Sequence, residues 1–246
     1  MLLVIDIGNT NITFGLLKGK RIIRTFNIPT KDYGLNKLKA KLSKAKPENT
    51  VICSVVPRAT EKLKRDLLAL TARKPYIIGK DILVPIKNLY LKPKQVGQDR
   101  LVNAYAASKL YGVPLIAIDF GTAITFDIIS KKRAYLGGMI LPGLKISLEA
   151  LNQRTALLPK IKLEEPNAFI GRDTKNSMLS GIIYGFGSLA DELITRIRKA
   201  IGQNALAIAT GGNTELISKY CRKINKIDVS LTLKGLSMLY TSKKNT

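Results

Sequence analysis

The sequence predicts an α/β protein made of two duplicated domains, each built on a mixed sheet. Two observations carry this expectation. A hairpin is written twice: Leu3 to Phe14 read Leu-Val-Ile-Asp-Ile-Gly-Asn-Thr-Asn-Ile-Thr-Phe, and Ile116 to Asp127 read Ile-Ala-Ile-Asp-Phe-Gly-Thr-Ala-Ile-Thr-Phe-Asp. Asp6 and Gly8 thus echo Asp119 and Gly121, and Ile12-Thr13-Phe14 recurs as Ile124-Thr125-Phe126. The second copy falls near the middle of the chain, where a duplication would place it. After each hairpin, strand and helix patterns follow one another in the order that gives sheets covered by helices. The expected domains are residues 1–112 and 113–246.

In the first half, Arg21 to Ile28 reads as a third strand, and Asp32 to Ala45 carries Leu35, Leu38 and Leu42 at helical spacing. Thr50 to Val56 is a buried-type strand. Pro57 can start a helix whose apolar face continues through Leu63, Leu67 and Leu70, before a strand at Tyr76 to Ile78. A helix is expected from Leu101 to Tyr111. The second half predicts strands at Leu115, at Ala123 to Ile129 and at Ala134 to Leu141. A Pro142-Gly143 break precedes a helix through Asn152. Helical stretches lie between Lys175 and Ala200, then a strand near Ala205 to Ala209 and a last helix near Leu231 to Tyr240.

With 246 residues, 46% of them hydrophobic, the chain can bury a substantial core, and disorder is expected only over Ser242 to Thr246. Apolar runs such as Leu2 to Ile5 and Val113 to Ile118 are too short to span a bilayer, and the amino terminus lacks a cationic lead, so the sequence reads as cytoplasmic with no membrane partner. Cys53 and Cys221 lack the spacing of a metal or redox pair. The chain has no His, so any catalytic proton transfer must use Asp, Glu, Lys or Tyr. The formal charge of +24 admits an anionic substrate, a nucleic acid or a solvated basic surface. Lys and Arg are scattered from Lys18 to Lys226 without one concentrated arm, and there is no Trp and no aromatic-interleaved basic strand. That distribution favours the solvated surface over a nucleic-acid footprint.

The chemistry of the repeated turn is legible. Gly lets a backbone approach a ligand, adjacent amides with Thr or Asn side chains offer donors, and Asp can hold a hydrated cation. Together they suit a nucleotide phosphate. One Asp-x-Gly-Thr alone is also ordinary hairpin punctuation, and the repetition argues against that reading.

Asn88 to Arg100 read Asn-Leu-Tyr-Leu-Lys-Pro-Lys-Gln-Val-Gly-Gln-Asp-Arg. Two readings stand side by side. Asp99 can be an N-cap accepting from the first free amides of the following helix, or a general base. Arg100 disturbs the capping account, because a cation in the first turn opposes the helix dipole by a few tenths of a kcal/mol; it suits an anionic ligand.

Asp6-Ile7-Gly8-Asn9-Thr10, Gly97-Gln98-Asp99-Arg100, Asp119-Phe120-Gly121-Thr122, Gly137-Gly138 and Pro142-Gly143 resemble the ordered motifs of type III pantothenate kinases. Gly171-Arg172-Asp173-Thr174 and Thr210-Gly211-Gly212 extend the resemblance over nearly the whole chain. It implies an actin-like (ribonuclease H-like) fold in which two domains clasp a nucleotide in the cleft between them. It also implies transfer of the ATP γ-phosphate to the 4'-hydroxyl of pantothenate, the first step of coenzyme A biosynthesis. By the same resemblance Asp6, Ile7, Gly8, Asn9, Thr10, Asn11, Ile12 and Thr13 would cradle the ATP phosphates, joined by Thr122. Asp6 would orient magnesium, and Asp119 would hold potassium or ammonium. Tyr90 and Gly97, Gln98, Asp99 and Arg100 match the pantothenate segment, Asp99 as proton acceptor and Arg100 as partner of the carboxylate. Thr174 matches a pantothenate contact delivered by the other subunit of a homodimer with shared active sites, and Gly211-Gly212 would approach the adenosine.

Two residues depart from the family pattern: Gln98 stands where Ala is usual, and Lys92-Pro93 stands for Asn-Pro. They put the rim of the pantothenate pocket in question. The alternative reading is a transcriptional accessory protein of the same fold that binds nucleic acid through its basic surface. A phosphatase or sugar kinase of that fold is a third class.

Overall fold

The computed structural model describes residues 1–43, 45–202 and 204–244. The chain divides into two compact units, one comprising Met1–Lys109 and the chain from Ser230 onward, the other Leu110–Val229. This differs from the division at 112/113 expected from the sequence, because the last helix belongs with the first unit.

The first unit contains β1 (Leu2–Ile7), β2 (Asn11–Lys18), β3 (Arg21–Pro29), α1 (Leu35–Leu42), β4 (Asn49–Ser54), α2 (Pro57–Thr71), β5 (Tyr76–Ile77), the two-residue β6 (Lys87–Asn88) and α3 (Gln98–Leu110). Its five-stranded sheet has the order β3-β2-β1-β4-β5. β1, β2 and β3 pair antiparallel, while β4 and β5 run parallel to β1. The second unit contains β7 (Leu115–Phe120), β8 (Ala123–Ile129), β9 (Ala134–Pro142), α4 (Leu144–Arg154), α5 (Thr174–Ala200), β10 (Leu206–Thr210), α6 (Thr214–Ile217) and β11 (Lys226–Ile227). Its strands run β9-β8-β7-β10-β11, the first sheet's order repeated strand for strand. α7 (Leu231–Lys244) then completes the first unit.

Period-two alternation explains why the first sheet is covered on both faces. Leu3, Ile5 and Ile7 pack with Leu38 and Leu42 of α1 and Leu63 and Leu67 of α2. Leu2, Val4, Val51 and Cys53 face the other way, against Val102 and Tyr105 of α3 and Leu233, Leu236 and Leu239 of α7. α7 lies so close to α3 that a Cβ on Gly235 would stand 2.7 Å from Val102 Cγ1 and 3.0 Å from Ala106 Cβ. In the second unit, Ile116, Ile118 and Phe120 pack with Leu144 and Leu148 of α4 and with the buried stripe of α5.

Several boundaries moved. The segment expected as one helix from Asp32 opens instead with a single 3-10 turn at Thr30–Asp32, and α1 begins only at Leu35. The stretches between Lys175 and Ala200 are one helix of 27 residues. α7 continues through Ser242 to Lys244, part of the segment expected to be disordered; positions 245 and 246 of that segment lie outside the described residues. Among the described residues no helix is long and apolar enough to cross a membrane.

Candidate active site

In the first unit, β1 and β2 pair up to Ile7 with Ile12, leaving Gly8 to Asn11 as the tip. Gly8 N donates to Asn11 O at 3.0 Å, closing it. Asn9, Thr10 and Asn11 are exposed, and Asp6 and Thr13 are half-buried partners across the hairpin. Thr30 fastens this tip from β3's end: its amide donates to Thr10 O at 2.9 Å and its hydroxyl to Gly8 O at 2.7 Å. Sequence reasoning did not single out Thr30, since its partners lie 20 and 22 positions earlier and no local pattern marks them.

Asp6 follows Leu2 and Val4 on the face that receives α3, and Asp6 pairs with Cys53 across the parallel β1–β4 ladder. The segment Gly97 to Arg100 reaches the same end of the sheet. A Cβ on Gly97 would strike the Asp99 carboxylate and stand 3.8 Å from Val55, the residue whose amide donates to Ile7 O at 3.1 Å. The Cys53 thiol is raised well above its ordinary range, first by burial and then by the charges of Asp6 and Asp99. Open α/β sheets bind ligands outside the carboxyl ends of their parallel strands.

Asp99 is not the residue that caps α3. The helix starts at Gln98, which puts Asp99 second in the helix, with its carboxylate accepting from Arg100 N at 2.9 Å. Burial raises its pKa; the Arg100 amide bond and the Arg100 charge pull the other way without cancelling the rise. A raised carboxylate is a better proton acceptor. Arg100 is only 8% exposed although it is a cation, and the buried side chain stays on the first turn of α3. Gln98 lies along Gly79, where a Cβ would meet Gln98 Cδ at 2.7 Å; Gly79 also has φ +84. The bulk of Gln98 is therefore accommodated against a bare backbone. Tyr90 is half-buried, and its amide donates to Asn88 Oδ1 at 3.0 Å.

The second unit repeats the turn with a tighter cradle. Asp119 is half-buried and pairs with Thr125 across the hairpin, and Thr122 is exposed at the tip. Gly211 adopts φ +99, and a Cβ there would run into the Asp119 carboxylate and the Phe120 backbone. Gly143 leaves no room for a Cβ against Thr122 O and Gly121 O. Asn213 Nδ2 donates to Phe120 O at 3.1 Å and to Gly121 O at 3.3 Å, and Asn213 N donates to Phe120 O at 3.0 Å. Asn213, too, escaped the sequence reading. Thr174 is the exposed first residue of α5; Asp173 caps that helix by accepting from Asn176 N at 2.8 Å.

The donor sets fit the cations that phosphate chemistry needs. Magnesium held with a nucleotide takes one or two carboxylates, water and phosphate oxygens, and the half-buried Asp6 beside a Gly turn is a carboxylate of that type. At Asp119 two glycines let backbone approach one carboxylate oxygen, which a built Cβ would meet at 3.0 Å from Gly121 and closer still from Gly211.

Comparison with known proteins decides the family. Residues 2–196 match the family model of type III pantothenate kinase. A type III pantothenate kinase of Geobacter sulfurreducens is 42% identical over 250 residues, covering 98% of each chain. One from Finegoldia magna is 40% identical over 258 residues, covering 100% of this chain and 98% of its own. The chain belongs to the type III pantothenate kinase family. The matched span contains both turns, the Gly97–Arg100 segment and Thr174, and ends before Gly211.

Solved structures place the family member in its fold. A Campylobacter jejuni protein described as a Baf family transcriptional activator superposes with TM-score 0.64 at 20% identity, over 99% of this chain and 100% of that one. MreB 5 of Spiroplasma citri, bound to AMPPNP, superposes with TM-score 0.51 at 12% identity, over 99% and 97%. At such identities the likeness shows the fold alone, the two-domain actin-like architecture. Membership of a kinase family that uses ATP implies a divalent metal such as magnesium.

Proposed function

We propose that this chain transfers the γ-phosphate of ATP to the 4'-hydroxyl of pantothenate, the first step of coenzyme A biosynthesis. The observation that supports the mechanism is the meeting of a Gly turn and a half-buried carboxylate at one end of the first sheet: Asp6 pairs with Cys53, and Gly97, packed on the Asp99 carboxylate, lies beside Val55, whose amide donates to Ile7 O. Residues Asp6, Ile7, Gly8, Asn9, Thr10, Asn11, Ile12 and Thr13 are the proposed phosphate cradle, and Thr122 contributes from the second turn. Arg100 is proposed to pair with the pantothenate carboxylate, and Tyr90, Gly97 and Gln98 to line the pocket. Magnesium, when bound with ATP, offsets phosphate charge.

Phosphoryl transfer asks a protein mainly for alignment and charge stabilisation. Asp99 accepts a hydrogen bond from the hydroxyl and orients it; the new bond forms between that oxygen and the γ-phosphorus as the bond to the bridging oxygen of ADP breaks. The hydroxyl proton passes to Asp99. Burial of Asp99 raises its proton affinity and so assists the last event. Asp119 is proposed to hold potassium or ammonium, Gly211 and Gly212 to approach the adenosine, and Thr174 to reach pantothenate across a homodimer in the cytoplasm.

The test is phosphate transfer by the purified protein to pantothenate, in potassium and then in sodium buffer, with the product identified by mass spectrometry. A phosphorylated pantothenate formed faster in potassium is expected. No such product would refute the reaction, and equal rates in both salts would refute the cation site.

A further inference from the structure

A turn that receives phosphate must present its amides and side-chain donors, yet the same turn carries carbonyl oxygens whose negative ends repel an anion. In the first tip the carbonyls of Gly8 and Thr10 both accept from one residue, Thr30: the hydroxyl takes Gly8 O at 2.7 Å and the amide takes Thr10 O at 2.9 Å. Thr30 is itself braced. Three residues on, the Tyr33 hydroxyl donates to Asp66 of α2 at 2.9 Å. Lys62 Nζ donates to Tyr33 O at 2.9 Å and lies 5.3 Å from the centre of its ring. Tyr33 is 6% exposed, so the segment after β3 is pinned to α2 rather than left as a loose connection. The second turn meets the same need with a different residue, Asn213, on the carbonyls of Phe120 and Gly121.

We propose that Thr30 is a positioning residue for phosphate binding: it fixes the Gly8 and Thr10 carbonyls so that the tip offers its donors, and not its acceptors, to the nucleotide. This rests on the reading of Asp6 to Thr13 as the phosphate cradle. Thr30 touches no reacting atom. Its influence is on the polyphosphate end of ATP, and it leaves adenosine and pantothenate alone.

The experiment compares wild type, Thr30→Val and Thr30→Ser. Valine keeps the branched shape and the backbone amide and removes only the hydroxyl donor; serine keeps the donor. Equilibrium binding of a non-hydrolysable ATP analogue and of adenosine is measured with magnesium present, beside KM for ATP and for pantothenate and a thermal melt. Thr30→Val should weaken the analogue and raise KM for ATP about tenfold, equivalent to about 1.4 kcal/mol. Adenosine affinity and KM for pantothenate should stay within about twofold, and Thr30→Ser should restore the analogue to within about twofold. If Thr30→Val keeps the wild-type preference for the analogue over adenosine, or loses both ligands equally, the proposal is overturned while the cradle reading stands. If wild type itself binds the analogue no better than adenosine, the cradle reading falls and the proposal with it. Should valine leave the protein unfolded at assay temperature, Tyr33→Phe decides: it removes the anchor on Asp66 and keeps Thr30. An analogue affinity at least threefold weaker supports the proposal, and an unchanged one overturns it.

Discussion

Replacing Asp99 by Asn separates chemistry from architecture, because the two pull in opposite directions. The Asn side-chain oxygen can still accept from Arg100 N, now 2.9 Å from the carboxylate, so the start of α3 survives. What is lost is the ability to take a proton. A positioned general base contributes typically 10²–10⁴ in rate, so turnover should fall about a hundredfold or more, or about 2.7 kcal/mol of barrier. Stability should move the other way. Burial raises the Asp99 pKa in the folded state, so the folded protein holds that proton more tightly than the unfolded chain does. Between the unfolded and the folded pKa, stability therefore falls as pH rises, and the ionised carboxylate is a net burden at neutral pH. Asp99→Asn removes it. The variant should melt at or above the wild-type temperature at pH 7, with the difference shrinking as pH drops through the carboxylate range. Steady-state kinetics beside melts from pH 4 to 8 check both halves. Unchanged turnover with a lowered melting temperature at pH 7 would refute the reasoning and leave Asp99 a structural residue.

Arg100→Lys should raise KM for pantothenate about tenfold with a smaller effect on turnover, because a point charge replaces a two-pronged donor; equal KM values would remove Arg100 from the carboxylate. Gly211→Ala forces a side chain into φ +99, a conformation that costs about 1–2 kcal/mol, or a melting shift of roughly 2–8 °C at this chain length. The same Cβ displaces Asp119, so stimulation by potassium should fall too; an unaltered response to potassium would detach Asp119 from the cation. Asp99→Asn and Thr174→Phe, each inactive alone, should recover about one quarter of wild-type activity when unfolded and refolded together, since a mixed two-fold dimer gathers both defects in one site. A dead mixture that demonstrably contains mixed dimers would show that Thr174 does not act across subunits.

What could be read in the sequence was local. The duplicated hairpin announced both sheets because Asp6-Ile7-Gly8 and Asp119-Phe120-Gly121 are contiguous strings, and Pro57 at the first position of α2 marked a helix start by its own geometry. Asp99 was legible as an acid at a helix start, but its place inside the helix was not, because an Asp just before and an Asp just within a first turn look alike in sequence. Thr30 and Asn213 were invisible for a different reason. Each acts on carbonyls brought near by strand pairing, 20 or more positions away, and the backbone groups they satisfy belong to every residue type. The packing of Gln98 along Gly79 was equally hidden, because it depends on two segments meeting. The apolar spacing of α7 announced a buried helix without saying which sheet it covers.

That helix bears on the order in which the molecule can be made. On the ribosome, the strand carrying Asp6 and the helix carrying Asp99 emerge before the second unit, but the leucines of α7 that close over Val4, Val51 and Cys53 emerge only after it. The whole second unit, 110–229, emerges in between as an uninterrupted stretch. The five strands of the first sheet have all emerged by Ile77, yet the part of its apolar face that α7 covers must stay open until the second unit has been made. A premature stop before Leu231 would therefore strike the unit that was begun first.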